Sequence, residues 1–106
     1  MPHYLIRASY TTSGIQGVMK EGAASRLKVV EDLVASGGGR LEAAYWAFGD
    51  DDFIAIAELP DNAAAASIAT TVSMSGAVTA KTTVLLTADE IDEAISRRPS
   101  YRAPGA

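Results

Sequence analysis

Arg40–Leu59, RLEAAYWAFGDDDFIAIAEL, is the stretch on which the fold turns. Two runs rich in aliphatic, aromatic and alanine residues, Arg40–Phe48 and Asp52–Leu59, flank the acidic turn Gly49-Asp50-Asp51. So short a connection joins only antiparallel neighbours, so the stretch reads as a β-hairpin. Upstream, Ala23, Leu27, Val30 and Val34 recur at three- and four-residue spacing, which predicts an amphipathic helix from about Glu21 that ends at Ser36-Gly37-Gly38-Gly39. Lys28 and Asp32 make an exposed i,i+4 pair on its outer side. Before it, His3–Tyr10 (HYLIRASY) reads as a strand, and Gly14–Val18 as a short helical turn or loop.

Downstream, Pro60-Asp61-Asn62 opens a second helix, with Asp61 or Asn62 as N-cap and Ala64, Ala65, Ile68, Ala69 and Val72 as its buried face. Ala77–Leu86 (AVTAKTTVLL) is the fourth strand. Thr87-Ala88-Asp89-Glu90 has the spacing of a capping box, followed by a short helix whose inner face is Ile91, Ala94 and Ile95. The order β-α-β-β-α-β defines an α+β ferredoxin-like sandwich. Right-handed crossovers place its four antiparallel strands in the order 4-1-3-2, with both helices on one face. Residues 1–96 form one domain and residues 97–106, RPSYRAPGA with its preceding Arg, a C-terminal tail or arm.

Composition narrows the chemistry. The 106 residues contain no cysteine and one histidine, which removes disulfides, thiolate metal sites and cysteine nucleophiles and makes a Ser-His-Asp triad improbable. A net charge of −4 gives no general electrostatic attraction to nucleic acid or an anionic membrane. No apolar run has the length of a membrane span, and Met1-Pro2-His3-Tyr4 is too polar to start a signal peptide, so the expectation is a cytoplasmic protein. Twenty alanines stand against one Trp, four Tyr and two Phe. Each buried methyl contributes little at roughly 25 cal/mol per Å², and association is the usual remedy for so light a core.

Helices on one face leave the other face of the sheet open, and strand alternation indicates what it carries. Tyr4, Ile6, Ala8 and Tyr10 form the better core set of the first strand, leaving His3 and Arg7 on the open side. The second strand is ambiguous in parity, and Trp46 is assigned to the open face together with Arg7, Ser9, Ile54, Ile56, Glu58 and Lys81. An apolar sheet face with interspersed charge is an association surface, so Trp46, Ile54, Ile56 and Glu58 are the candidate interface. A pocket lined by Arg7, Tyr45, Trp46 and Lys81, between paired sheets or between the sheet and its helices, is the candidate ligand site.

Other residues carry less. Asp50-Asp51-Asp52 lacks calcium-loop spacing and reads as a solvated turn. Gly37-Gly38-Gly39 follows a helix instead of leading into one, the wrong context for a phosphate cradle. His3 has no obvious acidic partner in the sequence, and Glu58 is expected to pair with Arg7 or Lys81. Arg97, Arg98 and Arg102 around Tyr101 suit a latch onto a neighbouring subunit better than an RNA contact. No metal-ligand cluster, carboxylate pair or activated nucleophile stands out, and no cofactor is expected.

The opening strand HYLIRASYTTSGI, the segment VASGGGRLEAAYWAFG, the hairpin FGDDDFIAIAELPDNAAA and the strand GAVTAKTTVLLTADE together resemble the GYD family, small bacterial and archaeal proteins of the dimeric α/β-barrel, ferredoxin-like group. The likeness covers about residues 3–96. Gly49 and Asp52 match the first and last elements of a Gly-x-Tyr-Asp form, whereas Asp51 stands where the tyrosine would be. The resemblance implies a homodimer or larger ring and assigns no catalytic residue. Relatives on the same scaffold include cofactor-independent monooxygenases, cyclases, haem-degrading enzymes and ligand-sensing domains, and fold alone does not select among them. Two functions follow as expectations. One is a homo-oligomer that binds or transforms a small organic molecule in a barrel pocket; the other is a non-catalytic assembly module whose open face is filled by the partner subunit.

Overall fold

A computed structural model describes residues 1–106. The elements are β1 (His3–Tyr10), α1 (Thr12–Glu21), α2 (Ala23–Ser36), β2 (Arg40–Trp46), β3 (Phe53–Glu58), α3 (Asn62–Met74), β4 (Val78–Leu85) and α4 (Ala88–Arg97). The four strands form one antiparallel sheet in the order β2-β3-β1-β4, the ferredoxin-like arrangement expected from the crossovers. Helices α2 and α3 cover one face. Tyr4, Val34, Ala57, Leu59 and Ala65 are buried between the layers, and Ala8, Phe53 and Ala55 continue the core along the sheet. The Tyr4 hydroxyl donates to Asn62 Oδ1 at 2.7 Å, so the one large polar group in the core is satisfied by the first turn of α3. Asp61 is the N-cap of that helix, accepting from the Ala64 N–H at 2.8 Å.

The segment expected to be a turn or loop at Gly14–Val18 lies within a ten-residue helix, α1. Thr11 caps it, accepting from the Gly14 N–H, and anchors it to the turn before β4 by donating to the Gly76 carbonyl. Gly14 and Gly17 lower its intrinsic propensity, but the tertiary anchor outweighs that weak prior. Gly22, at φ +94°, separates α1 from α2. This is a conformation that an L side chain rarely adopts.

A β-bulge explains the ambiguous parity of the second strand. Leu41 pairs with Ala57, yet Ala43, not Glu42, pairs with Ile56. One extra residue is thereby accommodated at Glu42, and alternation restarts one step out of phase. Leu41, Ala44 and Trp46 consequently pack on the helix side, whereas Ala43 and Tyr45 take the open side. Trp46 is therefore not on the open face as expected from simple alternation; its ring packs edge-on against Phe53 in the core layer.

The last helix buries no residue against its own chain. The capping box is formed, Thr87 accepting from the Glu90 N–H while the Glu90 carboxylate accepts from the Thr87 N–H. No residue of α4 is buried, however, and Ile91 and Ile95 are 42% and 51% exposed. The inner face expected for Ile91, Ala94 and Ile95 is thus left exposed and outside the core. Outstretched, the chain measures 57 × 32 × 23 Å, with a radius of gyration of 17.0 Å against about 13 Å for a compact chain of this length. Its solvent-accessible surface is 7211 Å², about 1,600 Å² more than expected for a compact monomer of this mass. No helix is long and apolar enough to cross a membrane.

Candidate functional site

Three features of the fold can hold a ligand or a partner. The first is the open face. Register aligns Tyr45 with Ile54, Ile54 with Arg7 and Arg7 with Lys81, forming one row across all four strands. The next row on this face holds Ala43, Ile56, Leu5 and Thr83. Of the four proposed ligand residues, Arg7, Tyr45 and Lys81 therefore share a row, and Trp46 stands on the opposite face. Tyr45 is 72% exposed, and neither Arg7 nor Lys81 has a carboxylate within ion-pair distance. The buried Nε of Arg7 has no hydrogen-bond partner. Of the four interface candidates, Ile54, Ile56 and Glu58 lie on this face, which Trp46 does not reach.

The second feature is a cavity of about 90 Å³ between the sheet and the helices. Helix α2 lies towards β2 and α3 towards β4, leaving the central strands beneath a gap between them. Alanine is the cause. Ala65 and Ala69 of α3 and Ala8, Ala55 and Ala80 of the sheet point short side chains into the space from both layers. Val29, Val30 and Ile68 complete an apolar wall, with Tyr10, Arg26 and Thr82 as its polar contributors. None of Arg7, Tyr45, Trp46 and Lys81 lines this cavity.

The third feature is a corner of the open face where β1 begins and β3 ends. His3 pairs with Glu58 in register, and Glu58 with Arg40 on β2. The Arg40 guanidinium donates twice to Glu58 Oε2, at 2.7 and 3.0 Å. Arg40, not Arg7 or Lys81, is thus the partner of Glu58, because Arg7 lies four residues along β1 from its register neighbour His3. His3 Nδ1 contacts Glu42 Oε1, and its Nε2 lies 3.8 Å from Glu58 Oε1. An acidic partner 39 residues away was not visible in the sequence. Only pairing and the bulge bring Glu42 over β3 to β1.

The acidic hairpin turn has a structural task. Asp52 accepts from the Tyr10 N–H at 2.9 Å through Oδ2 and donates its own N–H to the Ala8 carbonyl at 2.9 Å. It clips the end of β1 to the hairpin. Phe48, two residues after β2, is fully exposed.

These elements define a ferredoxin-like α+β domain with an uncovered sheet face and an alanine-lined space under its helices. Its sequence matches the family model described as the GYD domain over residues 4–95, and the chain belongs to the GYD family. No curated protein and no solved structure matches it.

Proposed function

We propose that the protein is a homodimer that binds a small, largely apolar organic molecule in the cavity between sheet and helices. The cavity is the observation that carries the binding reading. Natural interiors are close-packed, and an apolar space of this kind stays dry unless an apolar molecule enters it. A volume of about 90 Å³ lies below the roughly 150 Å³ that holds benzene and suits a short or branched aliphatic group. Arg26 and Thr82 provide polar contacts at its wall.

The dimer reading rests on surface. The excess of about 1,600 Å² comfortably exceeds the roughly 800 Å² that each partner contributes to a standard interface. Its apolar parts are Leu5, Ile54 and Ile56 in two adjacent rows of the open face and the stripe of α4. The open face is also self-complementary in charge. Glu42 and Glu58 mark one end, and the unpaired Arg7 and Lys81 lie further along. Two copies stacked with their strands antiparallel bring each acidic end towards the basic row of the other, as an isologous two-fold interface permits.

The test has two readouts. Native mass spectrometry is expected to show a mass of two chains, and a single-chain mass at micromolar concentration would overturn the dimer. Xenon, used as a probe, is expected to shift the NMR methyl signals of Ala8, Ala55, Ala65 and Ala69 saturably, and Ala69→Leu is expected to abolish the shift. A protein whose methyls ignore xenon, and which Ala69→Leu simply stabilises, is the non-catalytic assembly module instead.

A further inference from the structure

We propose that His3, Glu42 and Glu58 bind one first-row divalent transition-metal ion, with Zn²⁺ the best fit. One imidazole and two carboxylates supply one nitrogen and two oxygen donors, a set that suits Zn²⁺ and leaves coordination positions for water or an exogenous ligand. One ligand atom from each residue lies within 4.8 Å of the others. Direct metal bonds of about 2.0–2.2 Å set donor atoms about 3.4 Å apart, so Glu42 must draw back slightly from His3 while Glu58 closes in.

The surroundings are those of a coordinating site. Each donor comes from a different strand, β1, β2 and β3, so the sheet's hydrogen bonds fix their spacing. Glu42 belongs to this set because of the bulge, a device that re-aims side chains at functional positions. The Arg40 guanidinium grips Oε2 of Glu58 and leaves Oε1 turned towards His3. A carboxylate held by one oxygen and presenting the other has the outer-shell support typical of metal ligands. Glu42, by contrast, has no Lys or Arg partner, and His3 is its one close contact of opposite character. Two carboxylates converge on one imidazole with a single guanidinium behind them, an arrangement richer in oxygen donors than in fixed cations. His3 and Glu58 are half-buried, and Glu42 is exposed at the rim of the cluster. Ile56, Leu85, Leu86 and Thr87 form a shallow depression beside His3 and Glu42, giving room for a non-protein ligand.

All donors belong to one chain and none lines the cavity, so metal binding requires neither a second copy nor the cavity ligand, although Glu42 and Glu58 also mark the acidic end of the proposed dimer face. The experiment is isothermal titration of the metal-stripped full-length protein with Zn²⁺, alongside Co²⁺ absorption spectra. One Zn²⁺ per chain is expected, with micromolar or tighter affinity, weakened at least tenfold in Glu42→Gln and in His3→Ala. Co²⁺ is expected to show ligand-field bands that disappear in both variants. Circular dichroism identical to that of the parent separates loss of ligands from loss of fold, and Glu58→Gln, which keeps a hydrogen-bonding side chain for Arg40, provides a third variant. Absence of stoichiometric Zn²⁺ binding, or equal affinity in the parent and in folded His3→Ala and Glu42→Gln, would overturn the proposal and leave the cluster as an ion-pair network.

Discussion

Trp46 and Phe53 are cross-strand partners whose rings meet edge to face, with centroids 4.9 Å apart and planes inclined at 64°. This pairing closes the hairpin end of the core, where few other large side chains are available. Edge-to-face pairs add roughly 0.5–1.5 kcal/mol beyond their area burial. Trp46→Ala is therefore expected to cost about 3 kcal/mol of folding stability, measured by urea denaturation. Tyr45→Ala, one residue away but on the open face, should cost far less. Equal losses in the two variants would contradict the assignment of faces.

Gly39 is where the entry to β2 crosses the end of β3. A Cβ placed there would lie 1.9 Å from the Glu58 carbonyl oxygen, backbone that has no soft way to yield. Gly39→Ala is expected to destabilise the domain by more than about 1 kcal/mol, the usual effect of a point substitution. Amide hydrogen exchange should accelerate along β2 and β3 in particular. A melting temperature within one degree of the parent's would show that the two strands can separate there without cost.

The cap of α4 sets a pH response. Glu90 titrates below the ordinary carboxylate range, chiefly because its carboxylate accepts the Thr87 backbone N–H and then the Thr87 hydroxyl. A lowered folded-state pKa adds stability above the unfolded value and loses it as pH falls through the folded one. The helicity contributed by α4 is thus expected to be full at neutral pH and to decline on the acid side of about pH 4.3. Far-ultraviolet circular dichroism of the parent and Glu90→Gln should differ above that pH and converge below it. A constant difference down to pH 2 would rule out the capping contribution.

The unpartnered stripe of α4 separates folding from association. The double substitution Ile91→Asp, Ile95→Asp removes apolar surface that touches no part of its own core. Light scattering should show the equilibrium of the proposed dimer shifted at least tenfold towards monomer, with the near-ultraviolet spectrum of Trp46 retained. If mass is unchanged, α4 is not part of the interface.

How far the sequence foretold this structure depended on whether local signals were enough. The hairpin, the strand order, the Asp61 cap and the Thr87–Glu90 box were legible because turn length, side-chain period and capping are local properties. Trp46 was misplaced because alternation carries across a strand only if no residue is inserted, and nothing in RLEAAYW marks Glu42 as the extra one. The last helix showed its apolar stripe but not its destination. Most of the candidate site was illegible for a related reason. His3, Glu42 and Glu58 are far apart in sequence and meet only through register, whereas the cavity is a property of what two alanine-rich layers fail to fill.

The bulge at Glu42 also bears on which assemblies can form. β2 is an edge strand, and a straight edge presents unpaired backbone groups to any other strand that passes. An interrupted pleat and the flanking charges of Arg40 and Glu42 make that edge a poor template for strand addition. Sideways growth, in which sheet joins sheet indefinitely, is thereby discouraged. In the proposed dimer, two-fold pairing through a face ends with two chains. One inserted residue would keep further strands from joining such a pair at this edge.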